Sequence, residues 1–205
     1  SVDNANSRSL GAEKVSFSGM LVSPFQFGET VSLQTLKSEG SKYGRVSFGF
    51  PLGNRGWKMS LNGSKMSYSV IAPELISMDI SGEVNDIGVS LRYPILRSRE
   101  SNLYSTINYD HRQYLTTVAG IAQKDYSIKN GKIEFSANLF DKFLKGGANG
   151  GSFSFTHGKV TGLGVDENYH TLLNYRLSRQ QSFSEKVSLF LSFQGQYGLD
   201  LPTSN

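Results

Sequence analysis

Residues 186–197 read KVSLFLSFQGQY. Val187, Leu189, Leu191, Phe193 and Tyr197 fall on one parity, and Ser188, Ser192, Gln194 and Gln196 on the other, with Phe190 the exception. Side chains of a strand point alternately to its two faces, so a period of two gives one apolar face and one polar face. The same period fills the rest of the chain. Val15, Phe17 and Leu21 alternate with Ser16 and Ser18, Val46, Phe48 and Phe50 with Arg45 and Ser47, and Trp57, Met59 and Leu61 with Lys58, Ser60 and Asn62. Val89, Leu91 and Tyr93 alternate with Ser90 and Arg92, Ile133 and Phe135 with Glu134 and Ser136, and Leu173, Tyr175 and Leu177 with Asn174, Arg176 and Ser178. About ten strands and no helix of ordinary length follow. A chain written this way throughout is expected to fold as an all-β, antiparallel up-and-down meander.

Two readings of such a meander stay open on period alone. In a soluble sandwich or lipocalin-like barrel the apolar face is a core and the polar face meets solvent. In an outer-membrane barrel the apolar face meets lipid and the polar face lines the interior. The connections favour the second. Residues 23–28, 53–56, 96–101 and 180–185 read as compact, and 71–82, 115–124 and 161–167 as longer, with 143–150 and 39–42 as exceptions. Short turns on one side and longer loops on the other are the habit of outer-membrane barrels. Aromatic residues cluster at strand ends. Phe25, Phe27, Phe50, Trp57, Tyr93, Tyr104, Phe140 and Phe183 lie by the compact turns, and Tyr43, Tyr68, Tyr109, Tyr114, Tyr126, Tyr169 and Tyr197 towards the opposite ends. Two interfacial belts would look like this. Proline cannot donate to a ladder, so Pro94 is expected to stop the strand that Tyr93 ends, with Arg97, Arg99 and Glu100 in water.

Composition removes other classes. The mean hydropathy is -0.31 and no window offers the long unbroken apolar run of a membrane helix. Aromatic residues at 12% exclude a disordered polar chain. The net charge of +4 is scattered and not gathered on one periodic face, so nucleic acid is not an expected partner. With no cysteine there is no disulfide framework and no thiol chemistry. The opening SVDNANSRSLG has no apolar segment of a leader, which fits a cytosolic chain or a start exposed by cleavage.

Catalytic chemistry finds little footing. His111 follows Asp110, but neighbours in a strand point to opposite faces, so the two form no dyad. His157 and His170 have no metal-ligand spacing. The run GGANGG at 146–151 lacks the Lys-Ser/Thr and the helix of a phosphate loop and reads as a turn. The expectation is no enzyme activity, no metal and no cofactor. A porin-like or small enzymatic barrel is the alternative, and a soluble binding barrel the third reading.

Four stretches carry a family resemblance: VDN at 2–4 followed by NSRSLG at 6–11; LRYPILRSRESNLY at 91–104 continuing to Tyr109-Asp110-His111; LNYRLSRQQ at 173–181; and VSLFLSFQGQ at 187–196. In their order and spacing they resemble the outer-membrane translocators of two-partner secretion, the haemolysin secretion/activation family ShlB/FhaC/HecB. Where the family has an aromatic or small residue and then glycine in its first loop, this chain has Asn4-Ala5. The resemblance implies a transmembrane barrel of about sixteen strands, preceded by POTRA domains and plugged by a lumenal loop with an Arg-Gly-Tyr motif. Residues 1–205 would be one barrel segment, about the second to the eleventh strand, as a partial barrel or open curved sheet, without the POTRA domains and the C-terminal strands. The implied partners are a secreted exoprotein in unfolded form and outer-membrane lipid and lipopolysaccharide, in the outer membrane of a Gram-negative bacterium. On this reading Ser90, Arg92, Asn174, Arg176, Ser188, Ser192, Gln194 and Gln196 form a lumen-facing polar wall. Val89, Leu91, Leu173, Tyr175, Leu189, Leu191 and Phe193 face lipid. Asp3, Asn4, Arg8 and Gly11 match the family's first loop.

Overall fold

The computed structural model describes Val2–Asp3 and residues 13–199. They form one sheet in the order β1 to β11, every strand antiparallel to its sequence neighbour. The strands are β1 (Val2–Asp3), β2 (Lys14–Val22), β3 (Thr30–Ser38), β4 (Ser41–Leu52), β5 (Trp57–Ser69), β6 (Ile80–Arg97), β7 (Ser101–Val118), β8 (Ile121–Asp141), β9 (Gly147–Leu163), β10 (Asn168–Ser182) and β11 (Ser188–Leu199). The only helical element among the described residues is a 3-10 turn at Ile76–Met78. Among those residues β11 pairs with β10 alone, so the sheet is open. The meander expected from the alternation is the fold observed.

Register turns the alternation into continuous faces. One row of cross-strand partners runs Phe50, Met59, Leu91, Ile107, Ile133, Phe155, Leu173, Tyr197. The adjacent row runs Lys58, Arg92, Thr106, Glu134, Ser154, Asn174, Gln196 on the other face. A slip of one residue could carry Lys58, Arg92 or Glu134, or a serine, threonine or amide, into the apolar row, which is why the register is well specified.

Pro94 does not stop β6. The strand runs on to Arg97, with Ile95 bulged out where the register shifts between Pro94 and Leu96. The β5–β6 ladder ends at Lys58–Arg92, so past that point β6 has only β7 beside it and the missing N–H has no ladder to break. Pro51 repeats the device. The β3–β4 ladder ends at Thr30–Gly49, and Pro51 sits two residues further on, opposite Lys58 of β5. Each proline ring packs on a turn glycine of the preceding hairpin, Pro51 on Gly28 and Pro94 on Gly56, and both glycines have φ 83°.

One of the expected longer connections is absent. Residues 115–124 are not a loop: β7 and β8 pair up to Val118–Ile121, leaving a two-residue turn at Ala119–Gly120. Both turn residues have positive φ, 50° and 74°, which suits the twist of a tight hairpin. The connection at residues 70–79 is long and unpaired, as expected, but elsewhere on that side the strands extend instead, β8 reaching 21 residues. The turn at residues 23–29 is held from within. Buried Glu29 accepts hydrogen bonds from the backbone N–H of Phe25 and of Phe27, the latter at 3.0 Å, and Ser23 Oγ accepts from Gly28 N–H at 3.0 Å. Burial pushes the Glu29 carboxyl up. The N–H groups of Phe25, Glu29, Phe27 and Gln26 outweigh it and hold the carboxyl below its ordinary range.

Candidate functional site

The alternation of burial is inverted relative to a soluble protein. No hydrophobic side chain among the described residues is buried. Ile133 and Phe135 expose 46% and 44% of their surface, whereas Ser154 on the polar face exposes 8%. On a sheet curled towards its polar side, the inner side chains crowd and the outer ones splay, and the burial follows that pattern. A soluble sandwich would bury the apolar face, which the described residues leave exposed.

Ser90, Arg92, Asn174, Arg176, Ser188, Ser192, Gln194 and Gln196 all lie on the polar face. The structure gathers four of them. Asn174 is opposite both Ser154 and Gln196, and Arg176 is opposite both Ser152 and Gln194. With Glu134 they line a groove of about 570 Å³. Arg92 lies apart from this group, its guanidinium 3.9 Å above the Tyr104 ring. Charged residues share the same face. Lys132 Nζ stands 2.9 Å from Glu134 Oε2, and Arg112 Nη2 donates to Asp86 Oδ2 at 2.9 Å. Asp86 Oδ1 is buried with no hydrogen-bond partner among the described residues. The parity that selected Ser90 and Arg92 selects Asp86 and Arg112 as well.

The face is not uniformly polar. Tyr43, Tyr68, Tyr114 and Tyr126, expected in an interfacial belt, have the parity of Arg45, Asn62, Arg112 and Asn130 and so lie on the polar face. Tyr114 and Tyr126 are cross-strand partners, stacked with centroids 4.8 Å apart and an interplanar angle of 11°. The Tyr68 ring lies across Gly82, where a Cβ would come within 2.6 Å of it. Tyr109, Tyr169 and Tyr197 do take the apolar face. At the opposite end Trp57 packs on Tyr93 at 4.5 Å on the apolar face, as a belt requires.

Val89, Leu91, Leu173, Tyr175, Leu189, Leu191 and Phe193 share the apolar face. Tyr175 lies over Gly195 and its ring meets Phe193 at 5.6 Å. Leu191, however, is opposite Arg179, close to the limit of the apolar band. There Arg179 Nη1 donates to Asp141 Oδ2 at 2.8 Å and to Asn149 Oδ1 at 2.6 Å, and Arg179 Nη2 donates to Gln181 Oε1. Gln181 Nε2 in turn donates to the Phe143, Gly146 and Ser182 carbonyls, so this cluster closes the turn at residues 142–146. The hydrogen bonds from Arg179 and Asn149 hold the Asp141 carboxyl down at about 2. At the other limit of the band stand Lys129 and Lys159.

The histidines are dispersed. His111 lies on the apolar face and Asp110 on the polar one. His157 Nδ1 pairs with Thr171 Oγ1 at 2.9 Å, and His170 Nε2 with Asn130 Oδ1 at 2.9 Å. Asp3 is a strand partner of Lys14 in β1–β2, and Asn4, Arg8 and Gly11 lie outside the described residues.

Solved structures share this architecture. CdiB from Escherichia coli superposes with a TM-score of 0.79 at 15% identity, over 96% of this chain and 39% of that one. CdiB from Acinetobacter baumannii gives a TM-score of 0.70 at 17% identity, over 92% of this chain and 36% of that one. The chain thus spans well under half the length of either. No curated protein sequence matches it. The sequence profile of the haemolysin secretion/activation protein ShlB/FhaC/HecB matches residues 1–204. With that profile matched over nearly its whole length and the barrel meander to go with it, the chain belongs to the ShlB/FhaC/HecB family.

Proposed function

We propose that this chain is part of the wall of a Gram-negative outer-membrane barrel, a transporter and not an enzyme, that secretes a partner exoprotein in two-partner secretion. The carrying observation is the inverted alternation: exposed apolar side chains on one face and crowded polar ones on the other, with no buried hydrophobic residue among the described ones. Such a sheet is stable where lipid covers one face and water the other. Residues 1–205 supply about the second to the eleventh of about sixteen strands. Family membership supports a barrel segment, and covering 39% of a CdiB chain fits a part of such a protein. The cargo is an exoprotein of haemolysin, adhesin or contact-dependent toxin type, passing unfolded. Serines, amides and paired charges offer an extended backbone hydrogen bonds without a large apolar surface to hold it.

The test is secretion of a cognate exoprotein by cells whose transporter carries this chain. Arg176→Glu with Asn174→Asp adds negative charge to the polar groove and should slow release of the exoprotein while leaving the barrel in the outer-membrane fraction. Recovery of the wild-type protein in the soluble fraction would overturn the reading.

A further inference from the structure

On the apolar face one register row runs Val46, Gly63, Ile87, His111, Lys129, Lys159, Tyr169. Its first part is apolar and its second part basic. Around Gly63 the face is hollowed into a groove of about 600 Å³, lined by Val46, Leu61, Ile87 and Tyr109 and reaching His111. A Cβ at Gly63 would meet nothing nearer than the Asp86 carbonyl at 3.9 Å, so the missing side chain leaves real space. Next to the groove's His111 end, Lys129 stands directly opposite Lys159. Like charges in directly opposed positions destabilise a sheet. Lys129 has no ion-pair partner among the described residues, and Lys159 has only the distant, exposed Glu167 at 3.7 Å. The Tyr169 ring lies 5.4 Å from Lys159 Nζ on the far side. An anion between the two ammonium groups would remove the repulsion, and an anion attached to acyl chains would also fill the groove.

We propose that this face is a binding site for a phosphorylated glycolipid of the outer leaflet, with the phosphate held by Lys129 and Lys159 beside His111 and an acyl chain laid over Gly63. The leaflet rests on the outer-membrane reading above: Lys129 and Lys159 lie towards the end of the sheet that carries the long connection at residues 70–79, and longer connections face outward in such barrels. The lipid itself supplies the binding, and free phosphate does not.

The experiment is native mass spectrometry of the full transporter released from detergent micelles, titrated with diphosphoryl lipid A, with the same lipid lacking phosphate, and with inorganic phosphate. Wild type should retain diphosphoryl lipid A. K129Q/K159Q should weaken that binding about tenfold. Gly63→Leu, which fills the groove and leaves the charges alone, should weaken it as well. Lys142→Gln, at the opposite end of β8, should change nothing. Equal binding by wild type and K129Q/K159Q, unchanged binding by Gly63→Leu, or saturation by inorganic phosphate alone would each overturn the proposal. Circular dichroism of each variant shows that the sheet is intact. A protein that binds lipid A but secretes nothing overturns only the transport reading. One that secretes but ignores lipid A overturns only this one.

Discussion

Gly28 and Gly56 show how much one hydrogen in place of a methyl group can decide. Each has φ 83°, and each lies under a proline ring. A Cβ at Gly56 would come within 2.9 Å of Pro94 Cγ, against no contact within 4 Å for a Cβ at Gly53, whose φ is 63°. Both Gly→Ala changes incur left-handed strain of about 1–2 kcal/mol, but only Gly56→Ala adds a collision. Gly56→Ala should therefore lower the midpoint of urea unfolding in detergent more than Gly53→Ala does. Adding Pro94→Ala should recover the difference between them. Asp141 and Glu29 contribute to the acid response. Both carboxyls titrate lower in the fold than in the unfolded chain, so their contribution is full above about pH 4–5 and is lost as pH falls through their folded values, to about pH 2 for Asp141. Unfolding measured from pH 6 to pH 2 should show a loss of stability over that interval, and Asp141→Asn should flatten it. The proline devices were not legible beforehand. A proline in the sequence says that a bond is missing, whereas where the neighbouring ladder ends depends on the register of the whole hairpin.

Strand existence and facing were legible, because a period of two is a local property that pairing preserves. The turns were less so. Ala119–Gly120 holds both residues at positive φ, yet alanine is not the residue that announces such a turn, so β7 and β8 were expected to part near residue 115 when they pair to Val118–Ile121. Replacing Ala119 by glycine should remove the left-handed strain at φ 50° and stabilise the hairpin by roughly 0.5–1 kcal/mol, read as a higher urea midpoint. The tyrosines misled for a related reason. Position along a strand put Tyr43, Tyr114 and Tyr126 at an interface, but parity puts their rings on the polar side. Parity also ranks substitutions. Leu173 is mid-band, between Phe155 and Tyr197, so Leu173→Arg should cost about 2–4 kcal/mol in lipid refolding titrations. Leu191→Arg, beside Arg179 at the band's limit, should cost less. Asn174→Arg on the polar face should be mildest of the three.

At the scale of the molecule, the sheet is open and β11 has one bonded edge among the described residues. Each unpaired backbone group in hydrocarbon costs several kcal/mol. The isolated 205-residue chain is accordingly expected to form no stable channel in planar bilayers and to depend on detergent for solubility. Amide exchange measured in detergent should be fast at the free edge of β11 and slow in β7 and β8, which have partners on both sides. Uniform protection across all strands would mean that the edges have found each other, and the open sheet would be wrong.

The alternation has one more consequence, and it concerns the chain before it folds. Because every second residue is polar, no segment is greasy enough to be stopped as a helix by an insertion machinery that samples the polypeptide some twenty residues at a time. The affinity for lipid is latent. It belongs to no stretch of the sequence and comes into being only when neighbouring strands align their apolar positions, as Ile107, Ile133, Phe155 and Leu173 do in a single row. On the outer-membrane reading proposed above, the polypeptide can thus cross one membrane as a stranger to it and acquire its solvent preference at the next, in the act of pairing.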